Sequence, residues 1–213
     1  MKPAEELEQV AKEARICTKC ELQFSRKLAV PGEGPPNADI MFIGEGPGFH
    51  ENEQGRPFVG AAGKLLDDLL AKINMKRSDV FITNIVKCRP PGNRDPQPDE
   101  IEACSEYLER QIQAIQPKVI VTLGRHSLGR FIPNAKISEI HGQAKRVKGW
   151  LVVAMYHPAA GLHQRALMTA IEQDFKRLPE LIAKAAETAD DKGPGDKGQP
   201  TSEKKEPKQL NLF

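Results

Sequence analysis

Apolar residues along this chain gather into four short, nearly unbroken runs, separated by longer stretches in which they recur every three or four positions. The runs are Asp39 to Ile43 (DIMFI), Val80 to Val86 (VFITNIV), Val119 to Leu123 (VIVTL) and Leu151 to Met155 (LVVAM). Runs of this length, rich in β-branched side chains, predict strands buried on both faces. Helical periodicity is clearest from Ala61 to Ile73, Pro98 to Ile115 and Leu167 to Ala186, with a shorter stretch from Ala4 to Ala14. Strands spaced by helices predict an α/β fold, with a central, mostly parallel four-stranded sheet flanked by helices.

Each apolar run ends in a polar, glycine- or proline-rich segment. DIMFI runs into GEGPGFHE, VFITNIV into KCRPPGNRDP, VIVTL into GRHSLGR and LVVAM into YHPAAGLH. Ligands of open α/β sheets bind outside the carboxyl ends of the strands. These four segments are therefore expected to line one rim.

The chain has 213 residues, 39% of them apolar and 28% charged, which suits one globular domain. No stretch approaches the roughly 18 apolar residues of a membrane span, and charges run through the first residues where a signal peptide would be apolar. Lys and Arg exceed Asp and Glu by 31 to 29. That balance neither demands nor excludes nucleic acid, because a local basic rim disappears in the sum. The composition changes near Ala189. Residues 189–208 hold three Gly, three Pro, five acids and five Lys, too few apolar groups to offset ordering entropy. The folded domain is thus expected to span residues 1–188, followed by a disordered linker at 189–208 and the apolar end Gln209-Leu210-Asn211-Leu212-Phe213.

Cys17 and Cys20 form a C-x-x-C pair, with Cys88 and Cys104 far downstream. In a chain with no export signal, four such thiols indicate a metal or cluster site before two disulfides, and spacing alone favours zinc. Gly44-Glu45-Gly46-Pro47-Gly48 is either a plain tight turn or a nest of N–H groups for an anionic oxygen. His157, between a strand and Pro158, is either a solvated rim residue or a catalytic one. Phe58 is a loop anchor or a stacking ring. Asn84 interrupts an apolar strand, where its amide must find partners or cost about 1 to 3 kcal/mol.

Together these parts resemble the family 4 uracil-DNA glycosylases, the iron-sulfur branch of their superfamily. The resemblance rests on GEGPG-x-x-E-x-x-x-G-R-P-F-V-G, TNIVKCRPPGNRDP, TLGR, HPAA-x-L and the four cysteines, and runs from Ile16 to Leu178. It implies a monofunctional base-excision-repair enzyme that flips uracil out of DNA and hydrolyses its N-glycosidic bond, leaving an abasic site. His157 is then the donor to uracil O2, with Glu45 or Glu51 positioning water, and Gly44, Gly46, Phe58 and Asn84 hold the base. Leu162 is the wedge entering the duplex, and Arg89, Arg94 and Arg165 are candidate DNA contacts, with Arg56, Lys87 and Arg125 as further basic rim residues. Cys17, Cys20, Cys88 and Cys104 match the family's ligands to a [4Fe-4S] cluster.

Two departures from relatives stand out. The best-known branch carries an Asp two residues after the first motif's opening Gly, where this chain has Gly46, a loss that the resemblance implies family 4 shares. The DNA-crosslinking relatives carry an inserted basic loop ending in a nucleophilic His, and VKCRPPGNRDP runs on without it. Two competing classes remain: a non-catalytic iron-sulfur DNA-binding protein of the same fold, and a zinc nuclease. The tail resembles the Gln-Leu-x-Leu-Phe peptide by which bacterial repair proteins bind a sliding clamp, so Gln209, Leu210, Leu212 and Phe213 are its candidate contacts. The protein is expected to act as a monomer on uracil-containing DNA, in a prokaryotic cytoplasm with the nucleoid.

Overall fold

The structure, a computed structural model, describes residues 1–190, with side chains described through residue 184. Five strands form one sheet: β1 (Ile40–Gly44), β2 (Phe81–Asn84), β3 (Val119–Leu123), β4 (Ala144–Val147) and β5 (Trp150–Met155), in the order β2-β1-β3-β5-β4. The first three and β5 are mutually parallel, and β4 pairs antiparallel with β5. The sheet thus has one strand more than the expected four. β4 reads AKRV, with Lys145 and Arg146 exposed, so it lacks an apolar run. Its hairpin turns at Lys148 and Gly149, both with positive φ (49° and 91°), the backbone that a tight two-residue hairpin requires.

The period of two along each inner strand divides the core into two layers. Met41, Ile43, Ile120 and Val152 face one layer, shared with Val10, Tyr107, Leu108 and Ile112. That layer packs under α1 (Pro3–Ile16) and α5 (Pro98–Ile115). Ile40, Phe42, Val119, Val121, Val153 and Met155 face the other, with Leu66, Leu69, Ile171 and Phe175. These last residues come from α4 (Ala61–Lys72) and α9 (Arg165–Asp190). Phe42 and Phe175 stack across this layer with centroids 6.0 Å apart.

Short helices fill the strand-end segments: α2 (Leu22–Ser25), α3 (Phe49–Gln54), α6 (Arg125–Phe131), α7 (Ile137–Ile140) and α8 (Pro158–His163). β2 ends at Asn84, so Ile85 and Val86 of the expected longer strand leave the ladder but stay buried. Helix α9 runs to Asp190, two residues into the expected linker; the rest of the linker and the Gln209 to Phe213 peptide lie outside the described residues. No described helix is long and apolar enough to cross a membrane.

Candidate active site

The carboxyl ends of β1, β2, β3 and β5 open into one cleft, lined by Glu45, Gly46, Pro47, Gly48, Glu51 and Phe58, together with Asn84, Pro90, Asn93, Arg94, Asp95, Gly124, Arg125, Tyr156, His157 and His163. All four polar segments contribute to it.

Gly44 and Asn84 are register partners at the ends of β1 and β2. A Cβ on residue 44 would meet Asn84 Oδ1 at 2.4 Å and the Phe58 ring at 2.8 Å. Glycine there is thus the condition for the ring and the amide to lie side by side. Asn84 is 1% exposed, and its Oδ1 is the one buried side-chain oxygen or nitrogen among the described residues without a hydrogen-bond partner. An orphaned buried acceptor costs about 1 to 3 kcal/mol, and its residue is among those that line the cleft. Its amide is therefore a candidate ligand contact.

Phe58 adopts φ 51°, an uncommon conformation for a large L-residue. Its backbone is held from both sides. Arg77 donates to the carbonyls of Pro57 and Phe58, and Glu51 Oε1 accepts from the N–H of Val59 (2.8 Å) and Gly60 (2.9 Å). The other oxygen of Glu51 accepts from Gly48 N at 3.1 Å. Both oxygens of Glu51 are therefore spent on the backbone. The Gly48 N–H is also spent and residue 47 is proline, so of residues 46 to 48 only Gly46 can bring an N–H to the expected nest.

His157 is the N-cap of α8, and its Nδ1 accepts from Ala159 N at 3.1 Å. An accepting Nδ1 places the ring proton on Nε2 in the neutral imidazole. Burial drives its pKa down to about 4. The ring is therefore a neutral donor whose Nε2–H is directed away from α8. It lies near-parallel to Phe58, centroids 5.4 Å apart and planes 26° apart.

Two residues not singled out in the sequence complete the acidic side of the cleft. His126 Nε2 lies 3.2 Å from Asp95 Oδ2 and 3.8 Å from Glu45 Oε2, and Arg125 donates to Asp95 Oδ2 at 2.5 Å. Burial raises the pKa of Glu45, with His126 and Arg125 pulling it back. Glu45 and Glu51 both line the cleft, but only Glu51 has its carboxylate bound to backbone N–H groups. A side chain at Gly46 would have its Cβ 2.9 Å from Val86 Cγ2. A side chain at position 46 would therefore require the stiff, β-branched Val86 to shift.

The basic residues divide by partner. Lys87, expected at the rim, is 1% exposed; its ammonium donates to Thr83 Oγ1 (2.6 Å), the Asn84 carbonyl (2.8 Å) and Gln111 Oε1 (2.8 Å), so it cannot reach a phosphate. Arg56 is paired with Glu33 through two bonds of 2.7 Å. Arg94 forms two bonds to the buried Glu100, which commits its guanidinium to the fold. Arg89 donates through Nε to Asn93 Oδ1, and Arg165, the first residue of α9, is exposed. Leu162 projects from α8 with 47% of its surface exposed.

Cys17, Cys20, Cys88 and Cys104 are free thiols around a separate, tightly filled pocket, with Arg26, Lys87 and Tyr107 beside them. Backbone and side-chain donors point at the sulfurs: Lys87 N to Cys104 at 3.2 Å, Arg26 Nη1 to Cys88 and Lys19 N to Cys17, both at 3.5 Å. Burial pushes the Cys104 thiol up to about 11 and raises Cys20 and Cys88 as well. No three of these sulfurs lie within 4.8 Å of one another.

Residues 31–178 match the model of the uracil DNA glycosylase superfamily. The chain is 50% identical over 187 residues to the type-4 uracil-DNA glycosylase of Sulfurisphaera tokodaii, covering 82% of this chain and 84% of that one. It is 46% identical over 194 residues to the type-4 enzyme of Archaeoglobus fulgidus (86% and 97% covered) and 40% identical over 184 residues to that of Thermotoga maritima (84% and 95%).

Proposed function

Because the chain belongs to the uracil DNA glycosylase superfamily, we propose that its cleft receives a uracil turned out of DNA and hydrolyses the bond to the sugar, in base excision repair. The observation that carries this is the orphaned Asn84 Oδ1 beside the Phe58 ring and the neutral His157. Uracil offers N3–H to Oδ1 and O4 to the amide N–H₂, whereas cytosine presents the reverse pair. Sites built on such a pair reject the mismatched ligand by about 10⁴ to 10⁵, since their buried polar groups stay unpaired.

In the reaction the C1′–N1 bond breaks and its electron pair passes to the base, where it accumulates on O2. His157 Nε2–H donates there; one such donor is worth about 3 to 4 kcal/mol. A water oxygen bonds to C1′, and the proton it loses ends on the departing uracil anion, leaving a sugar hydroxyl and a neutral base. Glu45 is the carboxylate that orients this water, because the oxygens of Glu51 are already engaged by three backbone N–H groups. Leu162 enters the space the base leaves, and Arg89 and Arg165 face phosphates. No lysine lines the cleft, so the product is an unbroken abasic strand.

The four cysteines fit a [4Fe-4S] cluster better than one zinc. Tetrahedral bonds of about 2.3 Å hold sulfurs about 3.8 Å apart, closer than these thiols lie, and N–H groups aimed at sulfur stabilise thiolate ligands. The bound cluster would supply a tie between α1, the end of β2 and α5. The peptide Gln209 to Phe213 is proposed to bind a bacterial sliding clamp, on sequence alone; its deletion should abolish clamp binding and spare uracil excision from short oligonucleotides. The working location proposed is the cytoplasm, at the nucleoid, as a monomer.

The deciding experiment is incubation with a uracil-containing oligonucleotide followed by alkali. Strand cleavage only after alkali supports the glycosylase. Binding without cleavage would leave the non-catalytic DNA-binding protein, and cleavage before alkali the nuclease. Iron and sulfide in anaerobically purified protein test the cluster, and zinc in their place would refute it.

A further inference from the structure

Phe49 carries a large ring at the lip of the cleft that none of the roles above uses. It is the first residue of α3 and is 53% exposed. The Arg89 guanidinium carbon lies 5.3 Å from its centroid, and the His50 ring meets it edge-on at 5.4 Å. Arg89 is itself held, through Nε to Asn93 Oδ1 at 2.8 Å and through its carbonyl to Ser25 Oγ at 3.3 Å. The chain neighbours Gly48 and Pro90 both line the cleft, as does Asn93. The ring and the guanidinium thus form a braced pair on the lip, joined across two segments that converge on the site.

We propose that Phe49 and Arg89 form a second base subsite, in which the Phe49 ring stacks on the nucleobase next to the extruded uracil on the same strand. The inference rests on the uracil reading of the cleft and adds the contact that steadies the strand beside it. Beyond these two contacts Phe49 leaves 53% of its surface to water, whereas a nucleobase offers a π-face of its own size whatever its identity. Arg89 adds a cation beside that face and next to the strand's phosphates. The ring is braced on one side by Arg89 and on another by His50, so ordering it on binding costs little entropy. Leu162, from α8, is another large exposed apolar side chain, and its chain neighbour His163 lines the cleft. Phe49 and Leu162 then divide the work, one holding a neighbouring base and the other filling the vacated space.

The test uses full-length protein and duplexes carrying a tetrahydrofuran abasic analogue with 2-aminopurine on its 5′ or 3′ side. Wild-type protein should alter 2-aminopurine fluorescence on one side by stacking. Phe49→Ala should lose that change and bind about tenfold more weakly, while Phe49→Trp should keep both. The subsite is overturned if Phe49→Ala keeps the fluorescence change, whether or not its affinity falls, since the ring would then touch something other than the base. Uracil release by the wild-type protein is measured alongside. Absent release defeats the glycosylase reading, whereas release with an unaltered Phe49→Ala signal defeats the subsite alone.

Discussion

The ammonium of Lys87 donates to the main-chain oxygen of Asn84 at 2.8 Å from a fully buried position. The same group donates to Thr83 Oγ1 and Gln111 Oε1, and Gln111 Nε2 and Thr83 Oγ1 each donate to the Pro31 carbonyl. The last turn of backbone before the cysteine segment is thereby pinned by one cation. The Lys87 N–H meanwhile donates to Cys104 Sγ, so a single residue joins the base-reading strand end to the cysteine pocket.

Lys87→Met should therefore act on Asn84 without touching DNA. It leaves three buried acceptors short of a donor, each worth about 1 to 3 kcal/mol, and melting should occur at lower temperature. Below that temperature kcat for uracil release should fall about tenfold while the dissociation constant for DNA holds. Unchanged kcat in the folded variant would show that Asn84 is positioned without the lysine.

Lys87 also shows where sequence was silent. A basic residue in a rim motif is indistinguishable, by type, from one buried under it; only the strand's early end at Asn84 turns Lys87 inward. The parallel strands were legible because burial on both faces demands unbroken apolar runs. The β4 edge strand was not, because one exposed face allows Lys145 and Arg146 there, and the Lys148-Gly149 turn was its one signal. Gly44 and His157 could be placed at strand ends from the chain alone, whereas Asn84 read as interior to a strand running on to Val86 and instead ends β2. The approach of His126 to Asp95 and Glu45 could not, as it depends on how separate loops pack. Glu51 did carry a signal: an acid three residues after Gly48 has capping-box spacing, and its carboxylate caps Gly48 as that spacing implies.

His157 sets the pH behaviour. Burial holds its folded pKa at about 4, below the ordinary 6.5. The folded state thus resists the proton, so the contribution to stability is complete above pH 6.5 and is lost as pH falls toward 4. Single-turnover uracil release should show no His157 titration between pH 5 and 8, and a break near 6.5 that vanishes in His157→Asn would contradict a neutral donor. His157→Ala should slow release by about 10² to 10³.

The two glutamates should separate by assay. Glu51→Gln replaces an oxygen by an N–H₂ that faces backbone donors, at a cost of about 1 to 3 kcal/mol. Melting should fall by about 2 to 4 °C per kcal/mol for a chain of this size. Glu45→Gln removes a carboxylate whose ionisation burial already opposes. Its melting temperature should hold or rise while the rate of uracil release drops at least tenfold. The reverse pattern in thermal melts and single-turnover rates would assign the water to Glu51.

A carboxylate at position 46 would press on Val86, and that contact can be undone. A Cβ 2.9 Å from Val86 Cγ2 cannot be relieved by a rotamer change alone, because valine has one branching carbon and few open wells. Gly46→Asp should therefore destabilise by about 1 to 3 kcal/mol, as overpacking does, and lower the rate with it. Removing the obstructing methyl in Gly46→Asp/Val86→Ala should return most of the stability. It should also let a carboxylate reach the water, so that adding Glu45→Gln to the double variant costs less rate than it costs the wild-type chain. Equal losses in the two backgrounds, read by single-turnover excision at matched fractions folded, would show that a carboxylate at 46 cannot stand in for Glu45.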